Sequence, residues 1–235
     1  MIRGKLIVIE GTDCSGKETQ ARLLVSKLEE MGKKCVRISF PRYETATGKI
    51  IGSCYLGKDK MCQELLKSDK SWFDEGAGEV DSLVSSMYYA ADRKYNIKEI
   101  EDLLNKGVNV ILDRYTFSNM AHQGGKIVTQ EGRFKFFKKI DTLEFELLGL
   151  PKPDLVILLY VPYQITLKLL KMREEEADEN ERDVNHLKRA EQTYLELKAL
   201  YNFKMIKCVE NDEMKSIDEI NSQVMNEVLL TIKEK

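Results

Sequence analysis

Five short apolar runs punctuate the chain: KLIVIE (5–10), KCVRISF (34–40), VNVILD (108–113), DLVILLYV (154–161) and MIKCVE (205–210). They are apolar on both alternating faces, rich in Val and Ile, and separated by segments of helix length. A parallel sheet buried under helices on both sides requires that pattern. The expected fold is therefore α/β, a three-layer sandwich around a five-stranded parallel sheet flanked by helices. Helical spacing is expected over 16–31, 79–106, 132–148, 161–173, 181–202 and 216–234. The last of these puts Ile217, Ile220, Val224, Val228 and Ile232 on one face. With four prolines and neither a repeat nor a Gly/Ser linker, residues 1–235 read as one domain with insertions at about 42–78 and 173–185.

Charge narrows the choice of partners. The 37 basic and 39 acidic residues leave a net charge of −2, so no overall basic field argues for nucleic acid or an anionic membrane. A polyanionic ligand must then be met by locally placed Arg and Lys. Five scattered cysteines (Cys14, Cys35, Cys54, Cys62, Cys208) form no CxxC pair and have only His122 and His186 for company, so neither a disulfide framework nor a zinc site is expected. MIRGKLIVIEG is too short of apolar residues for a signal peptide, and no apolar run reaches about 18 residues. A cytoplasmic location is the expectation.

The first apolar run leads into GTDCSGKET, residues 11–19, where Gly11 to Lys17 match GxxxxGK between an expected strand and an expected helix. The chemistry needs glycines so that backbone N–H groups can curl around phosphate oxygens, helped by the positive end of the following helix. Gly11, Thr12, Asp13, Cys14, Ser15, Gly16 and Lys17 thus form a candidate ATP-phosphate loop, with Lys17 as the point charge on the transferring phosphate. The alternative is a glycine-rich turn carrying a lysine by chance. Glu18 departs from the pattern, because loops of this type place a Ser or Thr there to ligate magnesium. Three options stand: Glu18 points away and water fills the coordination place, its carboxylate ligates the metal, or catalysis is impaired. Thr19 is able to bond a phosphate oxygen but sits one position beyond the metal slot.

The third run ends in Asp113. If its strand neighbours the first, that carboxylate reaches the sheet's carboxyl edge beside the loop, where it would hold Mg2+ through water. Arg114 follows as a phosphate-binding candidate. A charged pair capping a strand is the plainer reading.

Taken in order, IEGTDCSGKETQ, FPRYETATGKIIGSCYL with its extra Cys54, YYAADR, DRYTFSNMAHQGG, LGLPKPDLVILL and RAEQTYLEL resemble the thymidylate kinase family of nucleoside monophosphate kinases over residues about 5–201. The resemblance implies transfer of the ATP γ-phosphate to dTMP, a mobile lid and a homodimer. It implies that Asp13 bonds the deoxyribose 3′-hydroxyl, that Lys17 binds the β- and γ-phosphates, and that Arg42 and Arg114 grip the dTMP phosphate. Arg93 reaches the thymine edge in this reading and Tyr89 stacks on the base. Their four-residue spacing puts both on one helix face, although core packing is the commoner fate of a helical aromatic. Asn119 and Gln123, with Ser118 beside them, present both donors and acceptors to a pyrimidine edge, or else form a polar helix start.

Some family members carry Arg inside the loop at the place of Cys14; others take that charge from the lid. Cys14 supplies none, which directs attention to Arg173 and Arg182 in KMREEEADENERDVNH as catalytic cations, against the plainer reading of a solvated charged segment. Trp72 is expected to pack the 42–78 insertion. His122 is expected near the pocket without forming a nucleophilic triad. A kinase for another pyrimidine nucleotide, or a nucleotide-binding protein with impaired catalysis, remains as an alternative.

Overall fold

The computed structural model describes residues 2–172 and 184–233. Its sheet has the order β2-β3-β1-β4-β5, all parallel, with β1 Leu6–Gly11, β2 Cys35–Ser39, β3 Asn109–Asp113, β4 Leu155–Tyr160 and β5 Lys204–Lys207. Among the described residues, seven longer helices surround it: α1 Lys17–Glu30, α2 Ser82–Asn105, α3 Thr116–Gly124, α4 Gln130–Asp141, α5 Tyr163–Met172, α6 Val184–Tyr201 and α7 Ile217–Lys233.

Alternation along the strands divides the core in two. Leu6 and Val8 of β1 with Val110 and Leu112 of β3 face α2, α3, α4 and α6. Ile7, Ile9 and Ile111 face α1 and α7, against Leu24, Leu28, Val224 and Val228. Because β1 feeds α1 on one face and its neighbour β3 feeds α3 on the other, the connections leaving their carboxyl ends diverge and leave a crevice, although the strands themselves stay paired as far as Arg114 N–H on the Ile9 carbonyl. Such a crevice is where open α/β sheets bind ligands.

Two expectations change. The expected strand MIKCVE divides: β5 stops at Lys207, and Val209–Glu210 pairs antiparallel with Glu213–Met214. Asn211 and Asp212 both adopt positive φ (50° and 63°), the conformation of a two-residue hairpin turn, so the chain, already past the main sheet, reverses there. The insertion at 42–78 is a set of short helical turns, Ala46–Lys49 running on into Ile50–Tyr55, then Asp59–Met61 and Cys62–Leu66. Trp72 is 72% exposed and does not pack that segment. Its apolar interior is built instead by Ile51, Tyr55, Ala77 and Val80 with Tyr88 and Tyr89 of α2.

Candidate active site

Gly11 closes β1 where no side chain fits: a Cβ would fall 2.6 Å from Ser15 Oγ and 2.7 Å from the Leu159 carbonyl oxygen. The chain then turns through left-handed conformations at Cys14 (φ 55°) and Gly16 (φ 80°) and enters α1 at Lys17 with no side-chain cap at Gly16. The first N–H groups of α1 are thus left for a ligand, as an anion-binding helix start requires. Lys17 is buried, its Nζ donating to the Thr12 carbonyl at 2.7 Å and to Ser15 Oγ at 3.4 Å. Burial, seconded by the Arg114 charge, pushes its pKa down to about 8 against the pull of Asp13 and Asp113. Thr12 Oγ1 donates to the Val161 carbonyl, and Thr19 is exposed on α1.

β3 lies beside β1 with Asp113 opposite Ile9, so Asp113 stands at the sheet's carboxyl edge next to the strand that leads into the loop. Arg37 of β2 donates to Asp113 Oδ2 at 3.0 Å. Glu18 extends to Arg22 (2.6 Å) and lies 3.5 Å from the same Arg37 nitrogen.

A cleft with a cavity volume of about 130 Å³ opens beyond the carboxyl ends of these strands, where open α/β sheets bind ligands. Asp13, Tyr89, Arg93, Arg114, Asn119 and Gln123 all line it, as does Ser118. Sequence positions far apart are thus brought together as expected. Arg114 pairs with Asp13 and donates to His122 Nε2 at 3.2 Å. Burial tends to raise the Asp13 pKa, but Arg114 and neighbouring positive charge outweigh it and hold the carboxyl well below its ordinary value. His122 is pushed by burial down to about 3 and stays neutral. With Nε2 accepting from Arg114, its proton sits on Nδ1 and is donated to His186 Nε2 at 3.2 Å.

Two buried acids that sequence reasoning did not single out hold this lining in place. Glu10, next to last in β1, accepts from the backbone N–H groups of Tyr115 (2.9 Å) and Ser118 (3.1 Å), from Ser118 Oγ (2.5 Å) and from Tyr194 (3.1 Å). It serves as the missing N-terminal cap of α3, since Tyr115 offers no side-chain cap. Burial raises its pKa despite these bonds. Glu144 takes Arg93 in a two-pronged pair (2.5 and 2.6 Å) together with Thr116 Oγ1 (2.8 Å) and Asn119 Nδ2 (3.0 Å). For Glu10 the available signal was one acid at the end of an apolar run, IVIEG; LEFELLGL carries both Glu144 and Glu146 and does not by itself pick out Glu144. Asn119 Oδ1 and Gln123 Oε1 are buried without a hydrogen-bond partner among the described residues.

The sequence model of the thymidylate kinase family matches residues 9–224. The chain belongs to the thymidylate kinase family. It is 32% identical over 224 residues to a thymidylate kinase of Schizosaccharomyces pombe, covering 95% of this chain and 91% of that one. Against a probable thymidylate kinase of Methanocaldococcus jannaschii it is 30% identical over 227 residues, 96% of each. A solved thymidylate kinase from Candida albicans shares the fold with a TM-score of 0.70 at 27% identity, over 98% of this chain and 94% of that one. Membership of this family makes the chain an ATP-dependent nucleoside monophosphate kinase on a phosphate-loop kinase sheet.

One family expectation stands apart from the cleft. The thymidylate kinase pattern gives Arg42 a phosphate role, yet Arg42 is absent from the cleft lining and its guanidinium is taken by Glu44 (2.8 Å) and Glu99. Its backbone N–H donates to Asp92 at 2.9 Å, which also accepts from Thr47 and Asn96 and so pins the FPRYETAT segment to α2. Arg173 and Arg182, the family-type lid cations, lie outside the described residues.

Proposed function

We propose that the chain transfers the γ-phosphate of ATP to dTMP, giving dTDP and ADP, with dTMP in the cleft and the ATP phosphates on the loop 11–17. The observation that carries the acceptor side is the pair of unpartnered buried acceptors, Asn119 Oδ1 and Gln123 Oε1, in the same cleft as Arg114. A thymine edge presents an N3–H donor between two carbonyl acceptors. Asn119 or Gln123 accepts from that N–H, and Arg93 stands by as the donor, its plane fixed by Glu144. Tyr89 supplies the stacking face. Asp13, held ionised by Arg114, accepts from the 3′-hydroxyl.

In the transfer a dTMP phosphate oxygen bonds to the γ-phosphorus while the bond from that phosphorus to the β–γ bridging oxygen breaks, releasing ADP. This reaction depends on positioning and charge neutralisation. Lys17 exchanges the Thr12 carbonyl for phosphate oxygens, and Arg114 takes the acceptor phosphate. Arg42 joins it on exchanging Glu44 and Glu99 for phosphate, and Arg173 and Arg182 supply the remaining cations, since Cys14 cannot.

Magnesium fits the donor set present. An ion that arrives on nucleotide phosphates and water needs only one or two carboxylates, and Asp113 Oδ1 takes no hydrogen bond among the described residues. Asp113 would hold the ion there through water, and the ion would supply charge neutralisation for the transferring phosphoryl group. The outward turn of Glu18 favours the reading in which water, not its carboxylate, fills the place of the usual hydroxyl.

The test is ADP release with dTMP, dUMP, AMP, CMP and GMP. Turnover with dTMP well above the others is expected; equal rates on all five would sink the assignment. We also propose a cytoplasmic homodimer, for which exposed Leu83, Val84 and Met87 of α2 provide an apolar strip. Light scattering at micromolar concentration tests it, a monomer counting against.

A further inference from the structure

The mechanism above leaves unused a half-buried cation, Arg37, facing two carboxylates beside the expected metal place. Arg37 projects from β2 on the α1 side of the sheet, one alternation before Ser39, which pairs with Asp113. A single nitrogen, Nη2, lies 3.0 Å from Asp113 Oδ2 and 3.5 Å from Glu18 Oε1. Arg37 Nε is buried with no hydrogen-bond partner, so the guanidinium meets both carboxylates through Nη2 alone.

We propose that Glu18 and Arg37 are a matched pair, in which Arg37 cancels the negative charge that Glu18 adds beside Asp113 and so keeps Asp113 working at the metal–nucleotide site. The inference rests on the kinase reading above. A hydroxyl residue after the loop lysine, together with one Asp, carries a net charge of −1. Here Glu18 and Asp113 carry −1 each and Arg37 carries +1, which restores the same sum. Arg22 also pairs with Glu18, but Arg22 is 69% exposed and stands in solvent, whereas Arg37, 23% exposed, is the cation that bridges Glu18 to Asp113. Without Arg37, two carboxylates would overbind a cation and repel nucleotide phosphate. Without Glu18, Arg37 would be left wholly to Asp113 and would compete with the metal for it. Arg37 is thus a positioning residue that acts through Asp113.

The test uses the full chain and a binding readout: Mn2+ affinity of the enzyme–ADP complex by electron paramagnetic resonance, with ADP affinity measured with and without the metal. Arg37→Leu is expected to tighten Mn2+ about tenfold and to weaken metal-free ADP, and Glu18→Ser to weaken Mn2+ by a similar factor. The double variant Glu18→Ser/Arg37→Leu should return to within about threefold of wild type, and Arg37→Lys, which keeps the charge, should stay near it. Persisting weakness in the double variant would make Glu18 a direct metal ligand and overturn the pairing, as would unchanged Mn2+ affinity in both single variants. If the wild type binds no ADP at all, the kinase reading fails instead.

Discussion

Arg93 donates through Nε and Nη2 to both carboxylate oxygens of Glu144, and both side chains are buried. Breaking such a pair from one side strands a charge away from water. Glu144→Ala is expected to lose about 3–5 kcal/mol of stability in denaturant unfolding. Arg93→Met/Glu144→Leu should lose less than the sum of its two single changes, and additive losses would show that the pair is not coupled.

Glu10 caps α3 from another strand of the fold. Glu10→Ala leaves the Tyr115 and Ser118 N–H groups without their acceptor, at about 1–3 kcal/mol. Because α3 carries Asn119 and Gln123, the KM for dTMP should rise as well. A stability loss with KM unchanged would confine Glu10 to folding.

Asp13→Asn removes the charge that pairs with Arg114 and weakens the acceptor offered to a 3′-hydroxyl. A charge-assisted hydrogen bond is worth about 1.5–3 kcal/mol, so kcat/KM for dTMP should fall about ten- to a hundredfold. The fall should be much smaller for a 3′-deoxy acceptor. An equal fall on both acceptors would detach Asp13 from the sugar.

Lys17 has a pKa of about 8 in the free protein. The ratio kcat/KM for ATP reports free-enzyme groups, so it should decline as pH rises through about 8. In the complex, phosphate holds Lys17 charged and kcat should persist to higher pH. Stability runs the other way. The folded pKa lies below the ordinary 10.5, so the cost of burying the ammonium is complete below about pH 8 and fades as pH rises toward 10.5. A flat kcat/KM profile from about pH 7 to 9.5 would refute the assignment.

Local pattern made much of this readable in advance. A strand apolar on both faces, a glycine turn and a lysine at the next helix start report one another within a dozen residues, so β1, the loop and α1 follow from spacing. The hairpin after β5 was missed although Asn211 and Asp212 are turn residues, because MIKCVE remains apolar through the point where the chain leaves the sheet. Arg42 carries the expected motif, but its present partner Glu99 belongs to a different element.

The layered fold and the glycine-lysine loop are legible in the chain alone, since each depends on residues close in sequence or on whole motifs in order. Tertiary structure alone decided what steadies the site residues: Glu10 under α3, Glu144 behind Arg93 across 51 residues, and Arg37 between Glu18 and Asp113. Buried charges must find partners wherever the packed chain brings them, and a partner chosen by strand order and helix face leaves no mark at a fixed spacing.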